Sequence, residues 1–300
     1  MKRLTLAVGP ADEGERLDRF IAARGGISRG EARRTLDQGG VFLDGRRCKV
    51  ASRLLRPGQT VAVNLAEGGR RAAPPEPLDR SRLLYADAEL VAVDKPAGVP
   101  AQPTLTSDVG TLPELVGALV GAPVTLVHRL DRETSGVTVF ARTRAAAAAL
   151  AEAFRTGGPA KTYLALTARA PSPADGRVDA PLGKDPARAG LRRIDPRGDP
   201  AATRYRTLRS GPRAALVEAS PETGRTHQIR VHLASAGAPL LGDARYGGPR
   251  RVGETPVARV MLHARRLELL HPATGIRLVL EAPVPEDFRA LERTLLGEAG

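Results

Sequence analysis

Two short stretches carry side chains whose types and spacing could do chemistry. The first is Val127-His128-Arg129-Leu130-Asp131-Arg132-Glu133-Thr134-Ser135-Gly136, which packs ionisable and turn-forming residues between two apolar runs and reads as a loop at a strand end. The second is Gly224-Arg225-Thr226-His227-Gln228-Ile229-Arg230-Val231-His232-Leu233. Here Thr226 is placed to cap a helix, His227 and Arg230 are three apart on one face, and Ile229 and Leu233 are four apart on another. On that pattern the polar face points away from the core. Taken singly, the first stretch reads as a solvated connection and the second as an amphipathic surface helix.

Elements that could position these groups are readable along the chain. Three hundred residues exceed what one compact core usually organises, so a large domain plus a smaller one is expected. The chain is 42% hydrophobic and 26% charged, too apolar for disorder, and with 3% aromatic residues and no Trp its core must rest on Leu, Val and Ala. Forty-six Lys or Arg against 33 Asp or Glu leave a formal charge of +13, a field that concentrates polyanions and makes nucleic acid the leading partner class. One cysteine, Cys48, can form neither an internal disulfide nor a thiol-rich zinc site. No secretory signal and no run of roughly 18 apolar residues is present, so a cytoplasmic protein with no membrane contact is expected.

Leu17, Phe20 and Ile21 fall at helical spacing and Gly25-Gly26 stops the pattern. A second helix opens on the capping box Ser28-x-x-Glu31. Val41 to Leu43, Asp44-Gly45 and the basic run Arg46 to Val50 then predict a hairpin, with Asp-Gly suited to a type I′ turn. Residues 15 to 65 hold eleven Lys or Arg against five Asp or Glu, so this small module, over 12–66, looks like an RNA-binding knob. Residues 67–82 are rich in Gly and Pro without periodicity and read as a linker. From 83 to 296, strands and helices alternate without a regular βαβ period, which predicts an α+β domain with a mixed β-sheet flanked by helices.

Together the two clusters and their neighbours resemble the RluA-type family of ribosomal large-subunit pseudouridine synthases. The pieces that carry the resemblance are, in order, Asp94-Lys95-Pro96-Ala97-Gly98, His128-Arg129-Leu130-Asp131 with Thr134-Ser135-Gly136, and Lys161-Thr162-Tyr163-Leu164-Ala165-Leu166. They continue with the Gly224 to His232 stretch, Gly242-Asp243 with Tyr246-Gly247, and Leu262-His263-Ala264. The knob is similar to an S4 RNA-binding domain. Departures exist: Asp94 stands where the family more often has Asn, and Val99 to Pro103 lacks a His found in many relatives. These bear on the choice of target, not on the chemistry.

The resemblance implies an isomerase acting in rRNA processing, with Asp131 as catalytic aspartate, Tyr163 as active-site tyrosine and Arg230 as the arginine that pairs with the aspartate. It places Arg129 where a side chain enters the RNA stack when the target base leaves it. Arg225, His227, Arg29, Arg33 and Arg34 are expected RNA contacts. No cofactor or metal is implied, the expected partner is structured RNA, ribosomal first and transfer RNA second, and a monomer is expected. An ionised Asp131 could attack C1′, add to C6 or assist elimination to a glycal, and all three stay open. The competing reading is a non-catalytic RNA-binding or ribosome-assembly protein. A P-loop at Gly157 to Thr162 fails because no Gly directly precedes Lys161, the histidines have no ligand spacing, and Ser135 lacks the G-x-S-x-G turn.

Overall fold

The computed structural model describes residues 2–65 and 76–297. It divides into two compact units, one of Met1–Pro77 with Gln102–Leu115, the other of Leu78–Ala101 with Val116–Gly300. Of the linker expected over 67–82, residues 67–75 lie outside the described residues. Its last residues form a short helical turn, Arg80–Arg82, in which the Asp79 carboxylate accepts from Ser81 N at 2.8 Å.

The first unit contains strand β1 (Lys2–Ala7), helices α1 (Leu17–Gly25) and α2 (Arg29–Asp37), and strands β2 (Val41–Leu43), β3 (Arg46–Arg47) and β4 (Thr60–Leu65). Leu17, Phe20 and Ile21 of α1 are fully buried, each worth roughly 1.5–3 kcal/mol of transfer free energy, and pack with Leu36, Val41, Val61 and Val63. Gly26 ends α1 at φ +66°, a left-handed value that glycine adopts freely. Ser28 Oγ accepts from Glu31 N at 3.1 Å, as the capping box predicts. Asp44 and Gly45 both have positive φ, giving the primed turn between β2 and β3. The sheet order is β1-β4-β2-β3, all antiparallel, with β1 a strand the sequence reading did not propose. The segment Gln102–Leu115 adds to this unit: Asp108 N donates to Gln38 O at 2.9 Å, Lys49 pairs with Asp108, and Arg47 donates to Thr104 O.

The second unit is built on a ten-stranded mixed sheet. In chain order it comprises β5 (Leu83–Ala86), β6 (Leu90–Lys95), helix α3 (Leu112–Val120, its first turn in the other unit), β7 (Thr125–Leu126), β8 (Ser135–Ala141), helix α4 (Arg144–Thr156) and β9 (Ala160–Thr167). Then follow β10 (Asp175–Asp179), the hairpin β11 (Leu182–Lys184) and β12 (Arg192–Ile194), β13 (Ala202–Ser210), β14 (Ala215–Pro221) and helix α5 (Gln228–Ser235). The hairpin β15 (Arg251–Val252) and β16 (Thr255–Pro256), strands β17 (Leu262–Leu270) and β18 (Arg277–Glu281), and helix α6 (Glu286–Leu296) complete it. Sheet order is β10-β13-β14-β9-β17-β8-β6-β5, with β18 beside β17 and β7 beside β8.

Among the described residues only β8 and β17 run parallel, with His263 opposite Ser135 and Ala264 opposite Gly136. That close pass requires Gly136: it sits at φ +115°, and a Cβ would overlap the backbone carbonyl of Ala264. Apolar residues such as Leu90, Val139 and Leu150 fill one side of the sheet with α4, and Ala165, Val217, Ile229 and Leu233 pack α5 onto it. The architecture is α+β, as the pattern of elements predicts. Among the described residues no helix is long and apolar enough to cross a membrane.

Candidate active site

A cavity of about 590 Å³ opens in the second unit, lined among others by Asp131, Tyr163, His128, Lys161, His227 and Arg230. The loop between β7 and β8, strand β9, the N-terminal end of α5, the last turns of α4 and the segment after β14 converge on it.

The loop is pinned from beneath. Lys95, at the end of β6, is fully buried and its ammonium donates to three carbonyls: Pro96 O at 3.0 Å, Arg132 O at 3.0 Å and Thr134 O at 2.8 Å. Gly98 N donates to Arg132 O, and Arg132 Nε donates back to Gly98 O, both at 2.8 Å. Desolvation pulls the Lys95 ammonium down to about pH 7, against the carboxylates of Glu133 and Asp131, which favour its charge. His128 fixes the loop's other end: its Nε2 accepts from Val139 N at 2.9 Å and its ring stacks on Phe154 with centroids 4.3 Å apart. That acceptor role needs a neutral ring, and burial depresses its pKa to about 3.

Asp131 sits between these anchors with a quarter of its side chain exposed, and Oδ2 accepts from Arg230 Nη1 at 3.1 Å. Arg230 is itself buried and lays Nε and Nη2 on Asp243 at 2.6 and 2.8 Å, a fork-to-fork pair in which Asp243 is almost wholly enclosed. One guanidinium therefore joins an enclosed carboxylate to a partly open one. Burial works against the Arg230 cation, but Asp243 and Asp131 outweigh it and raise its pKa above the ordinary arginine range. Gly242 gives Asp243 its place, because at φ +81° it passes so close to Arg259 that a Cβ would overlap the carbonyl.

His227 Nε2 lies 3.9 Å from the same Asp131 oxygen, and Nδ1 is 2.7 Å from Tyr246 Oη. Tyr246 Oη also accepts from Arg192 N at 2.9 Å; if it gives its own proton to Nδ1, the imidazole proton is on Nε2, facing Asp131. Burial lowers the His227 pKa although the Asp131 charge opposes it, so the ring is neutral at pH 7. The Tyr246 ring carries the Arg230 guanidinium 5.0 Å from its centroid.

Tyr163 comes from β9, opposite Ala264 of β17 and Ala219 of β14, two small residues that leave room beside its ring. Burial, and then the Asp131 charge, raise its pKa, so the phenol keeps its proton. Lys161, two residues earlier on the same face of β9, donates to Thr223 O at 3.1 Å; burial lowers its pKa. At the rim, Arg129 Nη2 donates to Thr226 Oγ1 at 2.7 Å, and Arg225 Nε donates to Pro200 O at 3.0 Å. Among the described residues no three His, Cys, Asp or Glu side chains gather as a metal ion requires.

Asp131, Tyr163, Arg230, Arg129, Arg225 and His227 are thus brought to one cavity, whereas Arg29, Arg33 and Arg34 belong to the first unit. Two details of the sequence reading are corrected. Thr226 does not cap α5: the cap position is His227, in left-handed backbone at φ +59° with no side-chain cap, and the Thr226 hydroxyl serves Arg129 instead. The polar face of α5 does not point to solvent either. Gln228, Arg230 and His232 are buried, satisfied by Thr203, Asp243 and Ala180 among others. Sequence reasoning gave no role to Lys95, Lys161, Asp243 or Tyr246. Their motifs were visible, but nothing in the spacing says that Asp243 folds back under Arg230.

The profile of a family described as RNA pseudouridylate synthase matches residues 89–235, and that of the S4 domain matches residues 15–61. An uncharacterized RNA pseudouridine synthase of Chloroflexus aurantiacus is 38% identical, covering 98% of this chain and 94% of its own length. A protein of Xanthomonas campestris named ribosomal large subunit pseudouridine synthase D is 37% identical over 90% of this chain and 85% of the relative. Among solved structures, human RNA pseudouridylate synthase domain containing 4 superposes with a TM-score of 0.59 and 32% identity, covering 71% of this chain and 92% of that one.

Proposed function

The chain belongs to the RNA pseudouridylate synthase family, and from that premise we propose that it isomerises specific uridines of large-subunit ribosomal RNA with Asp131 as the catalytic group. As an RNA pseudouridine synthase it is an isomerase whose substrate is RNA. The finer reading is carried by one observation: a partly open carboxylate inside the cavity, held by a single N–H of an arginine that a second carboxylate already fixes.

Conversion of uridine to pseudouridine cuts the bond from C1′ to N1, turns the base and joins C1′ to C5, with no redox change. An anionic Asp131 can open this sequence by attack at C1′, by addition at C6, or by assisting elimination to a glycal. Arg230 is its cationic partner, with Nη1 donating to Oδ2 at 3.1 Å, and holds the carboxylate in place. Tyr163 offers a flat face to the detached base. Because its phenol keeps its proton, this role suits it better than removing the proton from C5. The reacting atoms of a stacked uridine are out of reach, so the base must leave its helix, and Arg129 is the side chain that would fill the gap. Arg225 and His227 flank the entrance, and Arg29, Arg33 and Arg34 of the S4 domain supply phosphate contacts. The ribosomal target rests on the name of the Xanthomonas campestris relative and on the S4 domain.

Mapping pseudouridines in total RNA from cells with and without the protein tests this reading. Sites in large-subunit ribosomal RNA should vanish on deletion and return with the wild-type gene. Losses confined to transfer RNA, or none, overturn it.

A further inference from the structure

Outside the catalytic cavity, one buried carboxylate has more partners than packing requires. Asp18, on the first turn of α1, has a fully enclosed side chain that meets three arginines: Arg16 Nε at 3.1 Å on Oδ1, and Arg29 Nε at 3.0 Å and Arg33 Nε at 2.9 Å on Oδ2. Burial alone would push this carboxyl up, but the hydrogen bonds from Arg16, Arg33 and Arg29 outweigh it and hold it ionised.

The three contacts share a geometry. Each guanidinium spends its Nε on Asp18, and among the described residues no hydrogen bond uses the Nη atoms of these three side chains. The Nη1–Nη2 edge is one of the two that grip a phosphate with parallel bonds. The side chains remain 35%, 44% and 50% exposed, so those edges are within reach of a ligand. Arg29 and Arg33 are like charges four apart on α2, an arrangement that disfavours the helix unless an anion lies between them. Docking α1 on α2 would need one such pair; three cations around one anion leave a local charge of +2 facing solvent.

We propose that Asp18 is a positioning residue that assembles Arg16, Arg29 and Arg33 into a preformed site for backbone phosphates of the substrate RNA. The proposal rests on the reading of the first unit as RNA-binding and adds which groups grip the backbone and what aims them. Arg16 and Asp18 join Arg29 and Arg33 in the site, and Arg34, without a bond to Asp18, stands apart from it.

The test turns on a sign. Asp18→Asn removes a negative charge from a protein that binds a polyanion, so if Asp18 only adds charge, the variant binds RNA more tightly. If Asp18 aims the guanidiniums, the variant binds more weakly, because an amide offers one acceptor and turns an NH2 toward the other arginines. Dissociation constants of the full chain are measured over a salt series with unmodified large-subunit ribosomal RNA transcribed in vitro. The expected result is on the order of tenfold weaker binding by Asp18→Asn, with the slope of log K against log salt shallower by about 0.7–0.9 per lost phosphate. A folded Asp18→Asn protein with equal or tighter binding overturns the proposal. Arg33→Lys, which keeps the charge on a half-exposed side chain but loses the fork, carries the test if Asp18→Asn does not fold; it should also bind more weakly, and unchanged affinity overturns the proposal. If replacing Arg29 and Arg33 together by Ala leaves affinity unchanged, the underlying reading of this face fails first.

Discussion

Arg230 turns its two-pronged edge to Asp243, with Nε and Nη2 donating at 2.6 and 2.8 Å, and spares only Nη1 for the catalytic candidate. The stronger bond thus serves the enclosed carboxylate, and the single one serves the carboxylate open to the cavity. Such an arrangement keeps the guanidinium in one orientation while its weaker contact can lengthen as Asp131 engages substrate.

Asp243→Asn should therefore slow the reaction although Asp243 touches no reacting atom. Loss of charge on the buried partner lets Arg230 rotate toward Asp131, and misplacement on this scale costs on the order of a hundredfold in rate. Single-turnover rates at saturating RNA measure it. A rate equal to wild type in a folded variant would mean that Asp243 serves stability alone.

Arg230→Met poses a different problem, because it strands Asp243 in the interior. Breaking one half of a buried pair costs about 3–5 kcal/mol, so the single variant should be markedly destabilised. Adding Asp243→Asn should restore much of that stability and none of the activity at neutral pH. Melting curves and single-turnover rates of the double variant check both halves; a stable double variant that turns over like wild type would mean that Arg230 serves the fold and not the reaction.

Asp131→Asn should keep fold and RNA binding but yield no pseudouridine, since an amide can be neither anionic nucleophile nor base. The decisive assay is prolonged incubation of stoichiometric variant with unmodified RNA, where any steady product formation removes Asp131 from the mechanism.

How far the sequence carried the reading differs from element to element. The helix at Leu17 was legible from its burial period and glycine stop, the one at Ser28 from its cap, and Asp44-Gly45 announced its turn. Asp131, Tyr163 and Arg230 were legible only through resemblance. Helix α5 misled because its apolar spacing is that of a surface helix, while its polar side chains find partners from β13, the segment after β10 and the turn after Gly242. Partners supplied by distant segments leave no local period. For the same reason the parallel pairing of β8 with β17, which brings Gly136 against Ala264, has no local signature.

Acid should unfold the protein partly through His263. Its Nδ1 is 3.0 Å from Ser135 Oγ inside the sheet, and burial, which dominates, lowers its pKa to about 4. The unfolded chain takes up the proton near 6.5, whereas the folded state refuses it until about 4, so stability falls as pH drops through that interval. The loss is about 3 kcal/mol at the lower end. His263→Gln should flatten the decline in denaturant midpoints between pH 6.5 and 4; an equally steep decline would locate the acid sensitivity elsewhere.

The membership of Gln102–Leu115 in the first unit has a topological consequence. The backbone leaves that unit after Pro77, returns at Gln102 and departs again at Leu115, so three covalent crossings join the two bodies. A protease that severs the chain between Leu65 and Glu76 would sever only the first of them. The amino-terminal fragment would still be held by a peptide that belongs covalently to the other, through Gln38 O on Asp108 N, Arg47 on Thr104 and Lys49 on Asp108. Neither body can be released intact by a single cut, and the pair should co-purify after nicking.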